Sequence, residues 1–466
     1  MPTINDILHL ANNSVQVSQQ GLQITGNNIS NVNTPGYSRQ RLIVEPQTSS
    51  GPWGQIFAGV ETSGIQRVYD SFLDQQAAMN MQRQGYLEGR YSVSKQVESV
   101  FDELEGRGIS SAMSEFFSSF SALASDPDSS AQRQNVVHKS QVLANHVSTT
   151  YQSLERLRSD MNMDISATVS NANSLLQEIA DLNAQIIAVG GAEVGEASSL
   201  LDQREMRARE LAEIMPTHTF TDQKGNLNVL WNGHSMVDGN QSSQLGLVSG
   251  QNFGVRLESP GGTVLDVTEE LSQSTGGRLA GLVYARDVEI TAAMADLDQF
   301  AFNLADSINT LHTTGFALDG STGRNFFDAP AALEGAAGNL SINQELIDDP
   351  NLIAAAEELG SLPGDNRIAL ALSELQTDKS VFGDSSFGEY FSLMIGRISR
   401  DINSLENDLE LQEMVTLQSE NFRQSVSGVS IDEEMVSLIQ WQRAFEASAK
   451  MVSTIDEMMQ TILALK

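Results

Sequence analysis

The side chains most used in catalysis are few and scattered in this sequence. The chain has six histidines, at His9, His138, His146, His218, His234 and His312. None of them lies in an HExxH pattern or in another close metal-binding spacing. His138 and His146 would be about two helical turns apart, which is too far for two side chains to share one ion. We therefore expect surface histidines or hydrogen-bonded core histidines, and no metal site.

Other catalytic constellations are missing as well. The chain has no cysteine, which excludes thiol nucleophiles, disulfides and iron–sulfur clusters. It contains no Walker phosphate loop, no GxGxxG element and no GxSxG nucleophile elbow. The acidic pairs Asp348–Asp349 and Glu433–Glu434 are predicted to lie at turns or helix starts, where negative charge is favourable. The sequence thus predicts no enzyme, no catalytic residue and no cofactor.

The charge balance restricts the possible partners. The chain has 60 acidic and 27 basic residues, a formal net charge of −33. Binding to nucleic acid needs a basic patch, so this balance argues against it, and against docking on anionic membranes. No apolar run is long enough to span a membrane, and no cleaved signal is evident at the start. These features fit a cytoplasmic protein or one exported without a cleaved signal.

The segment between Asp6 and Arg39 contains no Asp, Glu, Lys or Arg. Its apolar or small residues recur at alternating steps of four and three, at Ile4, Leu8, Ala11, Val15, Ser18, Leu22, Thr25, Ile29 and Val32. This spacing predicts a helix over 3–34 that neighbours cover on several sides. Gly21 and Gly26 each cost such a helix about 1 kcal/mol relative to alanine, so the helix should depend on packing for its stability.

The C-terminal helix, expected over 431–465, has two adjacent apolar lines. One contains Ile431, Met435, Leu438, Phe445, Val452 and Met459, and the other contains Trp441, Met451, Ile455, Met458 and Ile462. Together they form a face too wide for one partner helix. We expect the two end helices to pair with each other and to take part in self-assembly, which we favour over the core of an ordinary bundle.

Further helices are predicted over 71–104, 109–123, 147–189, 197–214, 278–312, 366–375 and 387–422. Strands are predicted over 227–231, 244–248, 253–257 and 264–267, and residues 36–70 should be irregular or extended. The predicted fold class is mainly α with a small β insertion. Both termini (1–35 and 430–466) form a discontinuous coiled coil, 36–215 and 278–429 form a middle helical bundle, and 216–277 form an inserted outer β domain.

Residues 27–40, NNISNVNTPGYSRQ, resemble the N-terminal signature of the flagellar axial protein family, which includes rod, hook and hook-associated proteins. The residues that carry this motif are Asn27, Asn28, Asn31, Asn33, Thr34, Pro35, Gly36, Tyr37 and Arg39. The runs SGVSIDEEM at 427–435 and WQRAFEASA at 441–449 are similar to the C-terminal signature of the hook-associated members at the hook–filament junction. Weaker similarities lie at 200–204, 280–287 and 319–327.

The resemblance implies a structural protein that is exported through the flagellar type III apparatus to the extracellular flagellum. Implied partners are other copies in a ring-like homo-oligomer, the hook protein, a second junction protein with the filament, and a cytoplasmic export chaperone that binds the C-terminal helix. The alternatives are a hook or rod protein of the same family, or a cell-envelope enzyme with coiled-coil arms and a pocket in the β insertion.

The resemblance also places the assembly interface on the two terminal helices. The residues expected to form it are Ile4, Leu8, Ala11, Val15, Leu22, Ile29, Val32, Ile431, Met435, Leu438, Trp441, Phe445, Val452, Ile455, Met459 and Ile462. Longer relatives carry larger outer domains, whereas only residues 216–275 are available for one here.

Overall fold

The fold was obtained as a computed structural model, which describes residues 4–51, 54–101, 108–190, 197–248 and 253–464, without the side chains of residue 5 and of 48–58. The chain is mainly helical with a small β region, so the predicted fold class is confirmed. The expected helix ends at residues 3, 104 and 465 lie outside the described residues.

A long helix organises the body of the protein. Helix α4 (Ser130–Ala188) has 59 residues and is therefore roughly 90 Å long. The heptad pattern predicted only its part from residue 147 onward, because the first turns keep the same spacing but bury the polar residues Arg133 and Ser140 in it. The side chain of Ser129 accepts a hydrogen bond from the Gln132 amide and caps its start.

Other helices pack around α4. These are α2 (Ser71–Phe101), α3 (Ile109–Ser125), α5 (Ser198–Ile214), α6 (Thr268–Gln273), α7 (Arg278–Tyr284), α8 (Thr291–His312), α9 (Gln344–Asp348), α10 (Arg367–Glu374) and α11 (Phe387–Ser427). The single helix predicted over 278–312 is interrupted by π-helical backbone at Ala285–Ile290. Near the start of α4, Phe116 and Phe120 of α3 pack edge-on or tilted against Phe326, with Phe327 beside them.

The β insertion contains two small antiparallel sheets. One has the strands β3 (His218–Thr221), β4 (Leu227–Trp231), β5 (His234–Asp238) and β6 (Gln241–Ser242), and the other has β7 (Gln244–Val248), β8 (Gly254–Glu258) and β9 (Val264–Asp266). The four predicted strands are present within one residue of their expected ends. Strands β3, β5 and β6 were not predicted, because they are short and lack continuous apolar residues.

Two asparagines of α4 hold this insertion. Asn173 exchanges hydrogen bonds with the backbone N–H and C=O of Leu245. Asn183 does the same with Leu227 and also donates to the carbonyl of Gly239. Each side-chain amide bonds the strand backbone in the way that a neighbouring strand would, because it offers one donor and one acceptor side by side. The insertion therefore packs on the C-terminal part of α4; its outer position in an assembly stays a prediction, as does the division into three domains.

Residues 40–51 and 54–67 form the two strands of a β-hairpin, where irregular or extended chain was expected. Strands β1 (Gln40–Gly51) and β2 (Gly54–Arg67) pair antiparallel, with register shifts after Ile43 and Gln47. Pro46 and Gly59 argued against regular strands. A two-stranded ribbon tolerates them, since both of its strands are edge strands, and Gly59 supplies a φ of +120° near the second shift.

The two chain ends pair as predicted. Helix α1 (Ile4–Ser30) packs along helix α12 (Ile431–Ala464). The end of α1 differs from the expectation, because residues 31–36 form turns instead of a last helical turn. Gly36, with a φ of +79°, closes these turns before the chain enters β1.

Candidate assembly site

Two contacts fix how α1 and α12 lie against each other. Gly21 lies against the ring of Trp441, and one heptad further along α1 the Asn28 amide donates to the Glu434 carboxylate at 3.0 Å. Residue numbers rise on one helix as they fall on the other, so the pair is antiparallel. Seven residues back along α1 correspond to seven residues forward along α12, so residue 14 lies opposite residue 448 and residue 7 lies opposite residue 455.

The face of α1 that meets α12 differs partly from the predicted line. Its buried residues are Ala11, Ser18, Gly21, Thr25 and Asn28. The predicted Leu8, Val15, Leu22 and Ile29 are only half-buried at its margin, as are Ile4 and Val32. The predicted line differs from the observed one because two of these five residues are a glycine and a hydrogen-bonded asparagine, which carry no apolar signal.

A second face of α1 is covered by the β-hairpin of the same chain. Leu10 packs near Gly59, and the buried Val17 and Ile24 continue that line at heptad spacing. Hydrogen bonds join Asn13 to Gln47 at 3.1 Å and Thr62 to Gln20 at 2.5 Å. The lack of charge in this segment has a cause within one chain only for the two covered faces, since Gln16, Gln19 and Gln23 are uncharged although they are exposed.

On α12 one line of residues faces inward. It begins at Glu434, which was in neither predicted line, and continues through alternate members of the two lines. Its members are all buried or half-buried: Glu434, Leu438, Trp441, Phe445, Ser448, Val452, Ile455 and Met459. Three of the predicted interface residues are exposed, namely Ile431, Met435 and Ile462, at 50%, 46% and 56%. Ile462 is exposed because, in this antiparallel register, α1 begins too late in the chain to lie opposite it.

Asn28 is the centre of the motif at 27–40. Its Oδ1 accepts hydrogen bonds from the Tyr37 hydroxyl at 2.9 Å and from the Gln40 amide at 3.0 Å. Its Nδ2 donates to the Gln40 carbonyl at 2.8 Å and to Glu434. All four hydrogen-bonding positions of this buried amide are thus used, and replacement by another residue type would leave some partners unsatisfied.

Arg39 joins the motif to α12. Its Nε donates to Glu434 and its Nη1 donates to Glu433, both at 2.7 Å. The side chain of Glu434 is only 3% exposed. Glu433 and Glu434, which were predicted only as a favourable helix start, therefore have specific partners within the chain. Their contacts with the motif were not predicted from the sequence.

Ser38 joins the same segment to the helical body. Its amide donates to Asp202 of α5 at 3.2 Å, and its hydroxyl accepts from Arg67 at 3.1 Å. Arg67 also pairs with Asp202 and with Glu205, each at 2.6 Å. The weak similarity at 200–204 was the one sequence signal for this cluster, and it pointed to Asp202.

The rest of the motif shapes the connector. Asn31 donates to the Asn27 carbonyl, and Thr34 donates to Asn31, while Asn33 and Pro35 are exposed. Burial, with the charges of Asp202 and Glu434, raises the pKa of Tyr37 to about 12, so its hydroxyl stays a neutral donor to Asn28. A polar cavity of about 330 Å³ separates this connector from α5.

Two of the histidines, His312 and His234, have structural partners. His312 is buried, and its Nδ1 lies 2.7 Å from the Arg324 carbonyl while its Nε2 accepts from the Ala354 amide. In the β insertion, Glu270 accepts from Asn232 and lies 3.3 Å from His234, which ties down the β4–β5 turn. Within the described ranges no three His, Asp or Glu side chains are grouped to hold a metal ion. No described helix combines the length and the apolar character needed to cross a membrane.

Comparison with known proteins identifies the family. The family model of the flagellar hook-associated protein FlgK helical domain matches residues 94–327, half of the chain. The chain belongs to the FlgK family of flagellar hook-associated proteins. Two other models match only its ends: that of the flagella basal body rod protein at 16–37, and that of the flagellar basal body rod FlgEFG protein C-terminal region at 423–465.

Relatives cover nearly the whole chain. Flagellar hook-associated protein 1 of Bacillus subtilis is 28% identical, over 98% of this chain and 97% of that protein. The protein of the same name in Escherichia coli is 26% identical, over 99% of this chain and all of that protein. The structure of the flagellar hook junction protein FlgK from Burkholderia pseudomallei has a TM-score of 0.67 at 16% identity and covers 76% of this chain and all of that one, which shows a common fold.

Membership in the FlgK family confirms the prediction of a hook-associated structural protein of the flagellum. The models of rod proteins match the two ends, whereas the FlgK model matches the middle. Asn28 and Glu434 thus lie in segments that match models of rod proteins, and Arg39 follows the N-terminal match by two residues. The roles of individual residues in assembly stay predictions.

Proposed function

We propose that this chain joins hook to filament by assembling with copies of itself into a short ring-like tube, with the α1–α12 pair in its inner wall. The observation that carries the proposal is the outer surface of α12. It exposes large apolar side chains in its first turns and again in its last turns: Ile431, Met435, Val436, Ile439, Met451, Met458, Ile462 and Leu463.

A helix that remained exposed to water would not be expected to carry so many apolar side chains on its outer surface. Exposed single apolar residues are ordinary, but a helix with apolar side chains on its inner and its outer faces belongs between neighbours. The last turns of α12 also extend beyond α1, so Ile462 and Leu463 have no α1 turn beside them. Neighbouring copies of the chain would cover this surface, and the charge-free α1 would contribute its remaining half-buried residues.

Further partners follow from the same surface. Before export, a cytoplasmic chaperone would cover the apolar faces of α12 and so prevent premature assembly. After export through the type III channel, the ring would contact the hook protein on one side and a second junction protein below the filament on the other. Neither contact needs a catalytic group or a cofactor.

The variant Met451→Asp tests the assembly surface. Met451 is 43% exposed, so a carboxylate there leaves the fold of the single chain intact but would have to be buried in the ring. Ser453→Asp is the matched control, because it adds the same charge to another exposed position two residues away. We expect labelled Ser453→Asp protein to appear at the hook–filament boundary and labelled Met451→Asp protein to be exported but not retained.

Normal retention of Met451→Asp protein at that boundary would contradict the proposed wall position of α12. The site of the label also separates this function from that of a hook or rod protein. Label along the length of the hook, or below it, would favour one of those alternatives.

A further inference from the structure

Asn232 is the only asparagine in the sequence that is followed by a glycine. Together with Gly233 it forms the turn between β4 and β5, and Trp231 pairs with His234 on either side of this turn. Both turn residues have left-handed backbone, with a φ of +45° at Asn232 and of +84° at Gly233, as a tight hairpin turn requires. The dipeptide is thus a fixed part of the fold.

The surroundings of this turn leave it open to water. Asn232 and Gly233 are both exposed, and no described atom lies within 4 Å of a β-carbon built on Gly233. A hydrogen bond holds the Asn232 side chain, because its Nδ2 donates to Oε2 of Glu270 in α6 at 2.9 Å. His234 lies 3.3 Å from the same oxygen. One carboxylate of α6 therefore restrains the carboxamide of the turn.

From this arrangement we propose that Asn232 is a deamidation site whose rate is set by Glu270. Asparagine is a chemically labile residue, and a glycine after it has no side chain to hinder its backbone nitrogen. Reaction requires the carboxamide to swing back over its own backbone, whereas the hydrogen bond to Glu270 holds it toward α6. The site contains no residue of α1 or α12, so it does not depend on the proposed ring.

The reaction needs only water as its second reactant. The backbone nitrogen of Gly233 bonds to Cγ of Asn232, its proton passes through solvent to the departing amine, and ammonia leaves behind a cyclic succinimide. Water then opens this ring at one of its two carbonyls. The product is an aspartate, or an isoaspartate in which the chain runs through the side-chain carbon. One water is consumed and one ammonia is released, and nothing is oxidised or reduced.

The product reverses the contact with α6. An aspartate at position 232 has no N–H to donate, and its negative charge faces the carboxylate of Glu270 at the distance of the former hydrogen bond. Two like charges so close together repel each other. An isoaspartate also lengthens the backbone of a turn that allows only two residues. Both products should therefore loosen the tip of the β4–β5 hairpin from α6.

Peptide mass spectrometry of full-length protein, incubated in warm and mildly alkaline buffer, tests the site. The tryptic peptide 225–256 contains Asn232 and also Asn240, which is exposed but is followed by glutamine. Replacement of the amide nitrogen by oxygen raises the mass, and fragment masses assign the change to one residue. We expect conversion at Asn232 and no comparable conversion at Asn240.

Glu270→Ala should convert Asn232 about tenfold faster, because loss of a charged hydrogen bond frees the carboxamide. Glu270→Gln, which keeps an acceptor oxygen, should fall between this variant and the unchanged protein. The matched control is Glu269→Ala, since Glu269 is an exposed carboxylate of the same helix that accepts from Gln273, and its loss should not alter the rate. An equal or lower rate in Glu270→Ala, or a rate at Asn232 no higher than at Asn240, would overturn the proposal.

Discussion

Gly21 of α1 lies directly against the indole ring of Trp441 of α12, so closely that a β-carbon at position 21 would overlap ring atoms. The glycine that weakens α1 as an isolated helix is thus the residue that permits close packing of the two chain ends. A close approach of this kind is a common reason for glycine inside a helix. The contact between Gly21 and Trp441 therefore fixes the register of the two helices.

The variant Gly21→Ala should therefore loosen the paired ends. The added methyl group must displace Trp441, and we expect a loss of about 1–3 kcal/mol, as for other overpacked sites. Gly26→Ala is the matched control, since nothing lies within 4 Å of a β-carbon built there. It should stabilise α1 by up to about 1 kcal/mol through helix propensity. Hydrogen exchange of α1 amides measures both, and a gain in protection for Gly21→Ala would contradict the contact.

Asn28→Ala should destabilise the connector more than its helical position suggests. The variant leaves the Gln40 amide and the Tyr37 hydroxyl without their acceptor, at a cost of about 1–3 kcal/mol. Exposed Asn27 provides the control, and Asn27→Ala should change stability by less than about 0.5 kcal/mol. The local opening free energy of the Gln40 amide, from hydrogen exchange, is the measurement. Equal effects of the two variants would show that the four bonds of Asn28 are unimportant.

Asn183→Ala should release the β insertion from α4. The Leu227 amide and the Arg204 guanidinium would lose their acceptor, and we expect the opening free energy of strand β4 to fall by about 1–3 kcal/mol. Asn171→Ala, at an exposed position of the same helix, should leave β4 unchanged. Exchange rates of the β4 amides give the comparison. Unchanged rates in Asn183→Ala would mean that the apolar contacts of the sheet suffice to hold it.

His312 should make the stability depend on pH. Burial, together with the charges of Arg324 and Arg133, lowers the pKa of His312 from 6.5 to about 4, although its hydrogen bond to the Arg324 carbonyl acts in the opposite direction. The unfolded chain therefore takes up a proton first as the pH falls. The stabilisation is complete above pH 6.5 and declines toward pH 4, by about 3 kcal/mol in total.

Carboxylates also titrate in this range, so the test compares the protein with His312→Gln, which cannot take up that proton. The difference in unfolding free energy between the two proteins should shrink by about 3 kcal/mol from pH 7 to pH 4. The other groups cancel in this difference. A difference that stays constant with pH would mean that His312 does not have a lowered pKa.

Much of the fold could be predicted from periodicity. The end helices, α2, α3, α5 and four of the strands lie close to their expected positions, because each has a regular apolar pattern or clear turn residues. The hairpin at 40–67 could not be predicted in this way. Its strands contain Pro46 and Gly59, and their regularity depends on packing against α1, which lies before them in the chain.

The candidate site could be predicted only in part, again because some of its contacts join distant segments of the chain. The motif at 27–40 was found from the sequence, and so was the pairing of the two ends. The partners of the motif were not, since Asp202, Arg67 and Glu434 are distant from it in the chain and are ordinary charged residues, two on helices and one at the end of strand β2. Burial and hydrogen bonding between distant segments give them their role.

The sequence by itself determined that this protein has weak, nearly charge-free or doubly apolar end helices, no cysteine, and the motif of a flagellar axial protein. These properties depend on composition and local spacing, which any one segment carries alone. Only the tertiary structure decided which residues of α1 and α12 meet, that a hairpin covers the other face of α1, and that Arg39 and Ser38 connect to opposite sides. Such contacts include hydrogen bonds between residues 34 and 406 positions apart, and only the folded chain brings their complementary shapes and charges together.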